Sequence, residues 1–183
     1  MNKKWLCVLA HTLVITWMFF IFYMSAQPGD TSGEISGSVS HLFMQIWNGV
    51  FGLGWNEGEI LHMAQTWDYP IRKLAHMTEF GILAMLGYWT LGSYERFRGS
   101  VQLIETGKMR AWLSKNKRYV AAWLLTVCYA ATDELHQLFV PDRNGNVFDV
   151  VVDGTGAVMA LLFVYVLMRC NAFLSKRSIK NKE

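Results

Sequence analysis

Apolar residues dominate four long segments of this 183-residue chain, and each segment has the length of a membrane span. A bilayer core of about 30 Å requires roughly 20 mostly apolar helical residues to cross it. The pattern therefore predicts an all-α, polytopic membrane protein that forms one domain over residues 1–183. The four predicted transmembrane helices are residues 5–24, 70–91, 119–140 and 147–168.

The first two predicted spans each require a further argument. Lys3 and Lys4 before the first span resemble the start of a signal peptide, but the apolar run is longer than the usual 7–15 residues. We therefore expect an uncleaved anchor. The second span is the least hydrophobic because it opens with charged residues, and Asp68 and Pro70 mark the expected helix start.

A fifth helix is predicted in the segment between the first two spans. Over residues 35–53, apolar side chains recur every three or four positions among small and polar ones. This spacing is typical of an amphipathic helix that lies on, or re-enters, the outer leaflet. A helix that caps the bundle from outside fits the same pattern.

The basic residues predict the orientation of the spans. Of the 17 Lys and Arg residues, 14 lie before the first span, between the second and third spans, or after the fourth, whereas the acidic segment 25–69 has none. Since cytoplasmic loops are enriched in Lys and Arg, both termini are predicted to be cytoplasmic. This distribution also accounts for the basic residues without nucleic-acid binding. The basic tail, residues 172–183, is predicted to be disordered.

Ionisable side chains interrupt the outer halves of three spans. At about 1.5 Å per helical residue, Glu79 lies roughly 13 Å into its span, and Asp133 and Asp153 lie roughly 9–10 Å into theirs. Spacings of three, four or seven residues place the polar residues of each span on one face. The predicted binding residues are Arg72, Lys73, His76, Glu79, Asp133, Glu134, His136, Gln137, Arg143, Asp149 and Asp153.

Exposing so many polar groups to lipid would be prohibitive, because one charge at a helix centre costs about 2.5–3.5 kcal/mol. We expect the three polar faces to meet in one pocket, with small residues Gly156 and Ala160 allowing close helix packing. A salt-bridge network that only fixes helix packing is the structural alternative. The excess of acids favours a cation, an amine or a metal as ligand. No familiar zinc or nucleotide motif is present, so no metal or cofactor is assigned.

Four stretches of the chain carry a recognisable set of motifs, namely residues 22–28, residues 72–80, residues 133–143, and residues 147–156. In this order they resemble motifs of the VanZ-like family of bacterial membrane proteins. Met77, Asp153 and Ala160 depart from the family's usual residues. The resemblance implies a bacterial cell membrane protein with a role in the cell envelope, and the family's named member is associated with resistance to teicoplanin-type lipoglycopeptides.

Three kinds of function fit these features. The preferred one is a pocket that binds a membrane lipid, a lipid-linked envelope precursor or a lipoglycopeptide. An intramembrane enzyme acting on an envelope precursor is the main alternative, with His76, Glu79, Asp133 and His136 as candidate catalytic residues. A cation transporter is disfavoured because the inner halves of the spans are almost purely apolar. Whether a reaction is catalysed stays open.

Overall fold

The computed structural model describes residues 3–98 and 108–180, and within these ranges the chain is helical with no β-strand. Helix α3 lies at the centre and packs against all four other described helices. The all-α prediction is therefore confirmed. In chain order the helices are α1 (Lys3–Ser25), α2 (Gly29–Phe51), α3 (Glu57–Arg98), α4 (Lys108–Gln137) and α5 (Val147–Lys180).

Within residues 3–98 and 108–180, two helices are apolar and long enough to cross a bilayer, namely α1 and the Val147–Ser175 part of α5. Most of their residues are exposed, as Phe19 (69%) and Leu162 (58%) illustrate. Large exposed apolar surfaces indicate contact with a membrane or another protein rather than a soluble core. The other two predicted spans, within α3 and α4, do not meet the same criterion of length and composition.

Helix α1 is an integral part of the bundle. The Trp17 indole donates a hydrogen bond to the Glu79 carbonyl (2.9 Å), and the Tyr129 hydroxyl donates to the Met18 carbonyl (2.6 Å). Near the other end of α1, the Thr90 hydroxyl donates to the Ala10 carbonyl (3.1 Å). These bonds join α1 to α3 and α4 along most of its length.

The predicted helix start at Asp68 and Pro70 is wrong, because α3 begins at Glu57 and passes through Pro70. Asn56 and Glu59 form a reciprocal capping box in which each backbone N–H donates to the other's side chain (2.8 and 3.0 Å). Residues beyond this cap pack their apolar side against Met44 of α2. Capping and packing together start the helix before Asp68.

Two further helices extend beyond the spans predicted within them. Helix α4 begins at Lys108, eleven residues before position 119, and α5 continues to Lys180. Residues 172–180 are therefore helical, although they were predicted to be a disordered tail. They include Ala, Leu, Lys and Arg, which favour helix, and no Gly or Pro interrupts them. The last three residues of that prediction, 181–183, lie outside the described residues.

Helix α2 confirms the helix predicted over residues 35–53 and begins earlier, at Gly29. It packs against α3 through Ser40 and Met44, while Leu42, Ile46 and Val50 on its opposite side are exposed. The Gly29 N–H donates to the Pro141 carbonyl (3.1 Å), which ties the start of α2 to the loop between α4 and α5. The helix therefore covers one side of the polar end of the bundle.

Candidate functional site

A cavity of about 280 Å³ lies at the end of the bundle where α4 ends and α5 begins. Eight of the eleven predicted binding residues line it, and they come from α3, α4, the α4–α5 loop and α5. Tyr69, Asp142 and Asn144 complete its wall. The eight are Arg72, Lys73, His76, Glu134, Gln137, Arg143, Asp149 and Asp153.

The other three predicted residues lie beside this polar cavity. Glu79 lines a smaller crevice of about 140 Å³, which shares Arg72, His76 and Arg143 with the polar cavity. Asp133 lines neither space and is almost fully buried. His136 also lines neither; its ring stacks on Phe22, with 4.6 Å between ring centroids.

An ion pair joins α3 to α5 across the polar cavity. Lys73 Nζ lies 2.5 Å from Asp149 Oδ1, and each side chain is about one-fifth exposed (22% and 19%). Two helices must approach closely to make this contact. Gly156 permits that approach because it packs directly on the backbone of Met77, as the predicted stripe of small residues requires.

A second ion pair connects the site to α2. Arg72 Nη2 donates to Asp68 Oδ2 (2.9 Å), and the hydroxyls of Ser36 and Ser40 donate to Asp68 Oδ1 (2.6 and 2.8 Å). Burial raises the pKa of Asp68, but these hydrogen bonds and Arg72 outweigh burial and hold that pKa below its ordinary value. Asp68 is therefore ionised at neutral pH and holds Arg72 at the cavity wall.

Glu134 and Gln137 fix the shape of the loop that closes the cavity. The Gln137 amide donates to Asp133 Oδ2 (3.1 Å) and to Glu134 Oε1 (3.3 Å). The other oxygen of Glu134 accepts a hydrogen bond from the Asn146 backbone N–H (2.8 Å). Gly145 lies against the Glu134 carbonyl, where a side chain would collide. These contacts give Glu134 a structural role as well as a place in the wall.

Arg143 is the cavity cation that makes no ion pair with any described residue, and Asp153 is one of three cavity carboxylates, with Glu134 and Asp142, that make none. Arg143 reaches only a long hydrogen bond to the Ser25 carbonyl (3.5 Å) through its guanidinium. Burial and the nearby Arg72 lower the pKa of Arg143 below its ordinary value, while Asp133, Glu134 and Glu79 oppose the change. Asp153 is only 3% exposed and accepts no hydrogen bond from any residue that the structure describes.

The four candidate catalytic residues do not form one accessible group. His76 Nδ1 and Glu79 Oε2 are 3.7 Å apart, which exceeds hydrogen-bond length. Asp133 lies near Glu79, but His136 faces Phe22, and its buried Nε2 has no hydrogen-bond partner among the residues described. Among the described residues, no three His, Cys, Asp or Glu side chains are placed to hold a metal ion.

Sequence reasoning missed the contribution of α2 to this site. Asp68 entered the prediction only as a helix-start signal, and Ser36 and Ser40 were not considered as partners. Their i, i+4 spacing places both hydroxyls on one face of a helix, which was the available signal. The residue that this face meets depends on how α2 packs on α3.

Comparison with known proteins identifies the chain at the family level. A family model described as VanZ/LLP1 matches residues 11–169, which confirms the resemblance inferred from the four sequence stretches. No curated protein and no solved structure gave a significant match. Together with the two apolar helices, this family match indicates a membrane protein.

Proposed function

Since this chain belongs to the VanZ/LLP1 family, we propose that it is a four-span protein of the bacterial cell membrane with an outward-facing binding cavity. The cavity binds the polar head group of an envelope lipid or lipid-linked precursor. All four spans, in α1, α3, α4 and α5, belong to one domain, and both termini are cytoplasmic. Helix α2 lies at the outer surface beside the cavity.

The distribution of charge supports this topology. The polar cavity is at the same end of the bundle as the acidic segment 25–69, which has no Lys or Arg. Fourteen of the 17 basic residues lie in the segments assigned to the cytoplasm. Because translocated loops carry few basic residues, the cavity end is the outer end.

One observation carries the proposal, namely a space lined by three cations and four carboxylates within helices that otherwise expose apolar surface. Buried ion pairs often break even on stability, so a purely structural network of this size has little benefit. Ionisable groups inside a membrane protein that face a cavity are typical of ligand or ion sites. A head group that arrives from the surrounding lipid satisfies these charges.

The size of the cavity argues for a head group rather than a whole antibiotic. Sites for drug-sized ligands occupy about 300–1,000 Å³, and this cavity, at about 280 Å³, is at the lower limit of that range. A lipoglycopeptide is much larger than such a site. We therefore propose that any effect on susceptibility to these antibiotics arises through the envelope component that the protein binds.

Deletion and complementation test this function. A strain in which the gene is deleted is expected to differ from the wild type in its susceptibility to teicoplanin. Reintroducing the wild-type gene should restore the wild-type susceptibility. Arg143→Gln removes the unpaired cavity cation and should behave like the deletion. Arg169→Gln removes an exposed cation at the other end of the bundle and should behave like the wild type.

Protein amounts in the membrane fraction are measured for both variants, so that loss of protein is not mistaken for loss of binding. If Arg143→Gln restores susceptibility as fully as the wild type at equal abundance, the cavity has no part in the phenotype. If deletion leaves the susceptibility to teicoplanin unchanged, this result argues against the envelope role itself.

A further inference from the structure

Asp153 is a buried carboxylate without a counter-ion in the wall of the polar cavity. It is 3% exposed and accepts no hydrogen bond from a described residue. Glu134, Asp133 and Asp149 are the charged groups that act on it most strongly, and all three are acids. Lys73 is the nearby cation, but it is already paired with Asp149. A buried carboxylate in this setting lacks a donor that carries positive charge.

Two guanidinium groups in the same wall have an N–H donor without a partner among the described residues. Arg143 and Arg72 lie close enough to repel each other, and the Nε–H of each is buried without a hydrogen-bond partner. Asp68 neutralises Arg72 from the α2 side, while Arg143 has no acidic partner at ion-pair distance in the described part of the chain. Planar guanidinium groups bind phosphate through paired N–H donors. The wall therefore offers a phosphate site next to the carboxylates.

We infer that the polar cavity selects a zwitterionic head group in which a phosphodiester contacts Arg143 and Arg72 and a primary ammonium contacts Asp153. An ammonium has three N–H donors and no acceptor, so it suits Asp153 and the neighbouring Glu134. A purely anionic head group would meet the carboxylates without a compensating charge. This inference rests on the proposed function and adds the chemical class of the ligand.

An apolar groove next to the site indicates that the head group belongs to a lipid. The groove, of about 290 Å³, lies between α2 and α3 and is lined by Phe43, Trp47, Trp67 and other apolar residues. It shares Ile71 with the smaller crevice, and that crevice shares Arg72, His76 and Arg143 with the polar cavity. An acyl chain in this groove would leave its head group at the charged wall.

Binding of short-chain lipids to the purified full-length protein in detergent tests the inference. Dihexanoylphosphatidylethanolamine is compared with dihexanoylphosphatidylglycerol, which has the phosphodiester but no amine, by microscale thermophoresis. We expect the amine-bearing lipid to bind about tenfold more tightly, equivalent to about 1.4 kcal/mol. Water-soluble glycerophosphoethanolamine should bind more weakly than the lipid if the groove holds an acyl chain.

Asp153→Asn keeps the shape of the side chain. In this variant the affinities for the amine-bearing lipid and the glycerol lipid should be nearly equal. The matched control Asp30→Asn changes an exposed carboxylate on α2 and should leave the preference for the amine-bearing lipid unchanged. Should Asp153→Asn fail to fold, the wild type is titrated with the N-acetylated amine lipid, which should bind no better than the glycerol lipid.

The outcomes separate the two proposals. Equal binding of the amine-bearing and glycerol lipids to the wild type overturns the inference and leaves a head-group site in place. A preference that persists unchanged in folded Asp153→Asn also overturns it, as does tight binding of the N-acetylated lipid. Binding of free glycerophosphoethanolamine as tight as that of the lipid contradicts a lipid source. If none of the probes binds, the proposed head-group function fails as well.

Discussion

Replacing Lys73 by Met is expected to lower the free energy of unfolding by about 2–4 kcal/mol. The substitution keeps the aliphatic part of the side chain and removes the charge, leaving Asp149 beside Glu134 and Asp153 without a cation. Breaking a fully buried ion pair costs roughly 3–5 kcal/mol, and the partial exposure of this pair reduces the effect. Unfolding of the purified protein in mixed micelles gives the value.

A matched control and a rescue identify the cause of that loss. Lys117 pairs with Glu95 at 3.1 Å, but its side chain is 58% exposed, so Lys117→Met should cost less than about 1 kcal/mol. Adding Asp149→Leu to Lys73→Met removes the carboxylate that was left unpaired, and it should recover most of the lost stability. If the double variant is no more stable than Lys73→Met alone, the charge of Asp149 is not responsible.

Replacing Gly156 by Ala is expected to destabilise the bundle by about 1–3 kcal/mol, because a new methyl group would overlap the backbone of Met77. Separating α3 from α5 to make room would also lengthen the Lys73–Asp149 contact. Thermal unfolding in detergent measures the loss.

Gly49→Ala is the matched control because a methyl group there meets nothing within 4 Å. Alanine is favoured over glycine inside a helix by up to about 1 kcal/mol, so this change should be neutral or stabilising. We therefore expect Gly156→Ala to lower the stability of the protein and Gly49→Ala to leave it unchanged or raise it. A stabilising effect of Gly156→Ala would contradict close packing of α3 on α5.

The clustering of charge could be predicted from the sequence because helical periodicity determines which residues share a face. Arg72 and His76 are four residues apart, as are Asp149 and Asp153, and all four line one cavity. Their burial is costly in lipid, so faces of this kind have a strong reason to meet. Helical periodicity and the cost of exposing charge to lipid were enough to place eight of the eleven predicted residues in the cavity wall.

The remaining features depend on packing between helices, which periodicity does not specify. His136 lies one turn beyond Asp133, yet its ring faces Phe22 of α1 because of how α1 crosses α4. Helix α3 continues through Pro70 since a capping box and contacts with α2 stabilise the residues before it. The bonds from Ser36 and Ser40 to Asp68 likewise require the observed packing of α2 on α3.

Labelling of single cysteines in spheroplasts tests the central claim, that the polar cavity opens to the outside. In a background with Cys7, Cys128 and Cys170 replaced by Ser, Asn144→Cys puts a thiol at the cavity wall and Asn171→Cys puts one near the other end of α5. A membrane-impermeant maleimide should label position 144 in spheroplasts and position 171 only after permeabilisation. Labelling of position 171 but not of position 144 before permeabilisation would contradict the account.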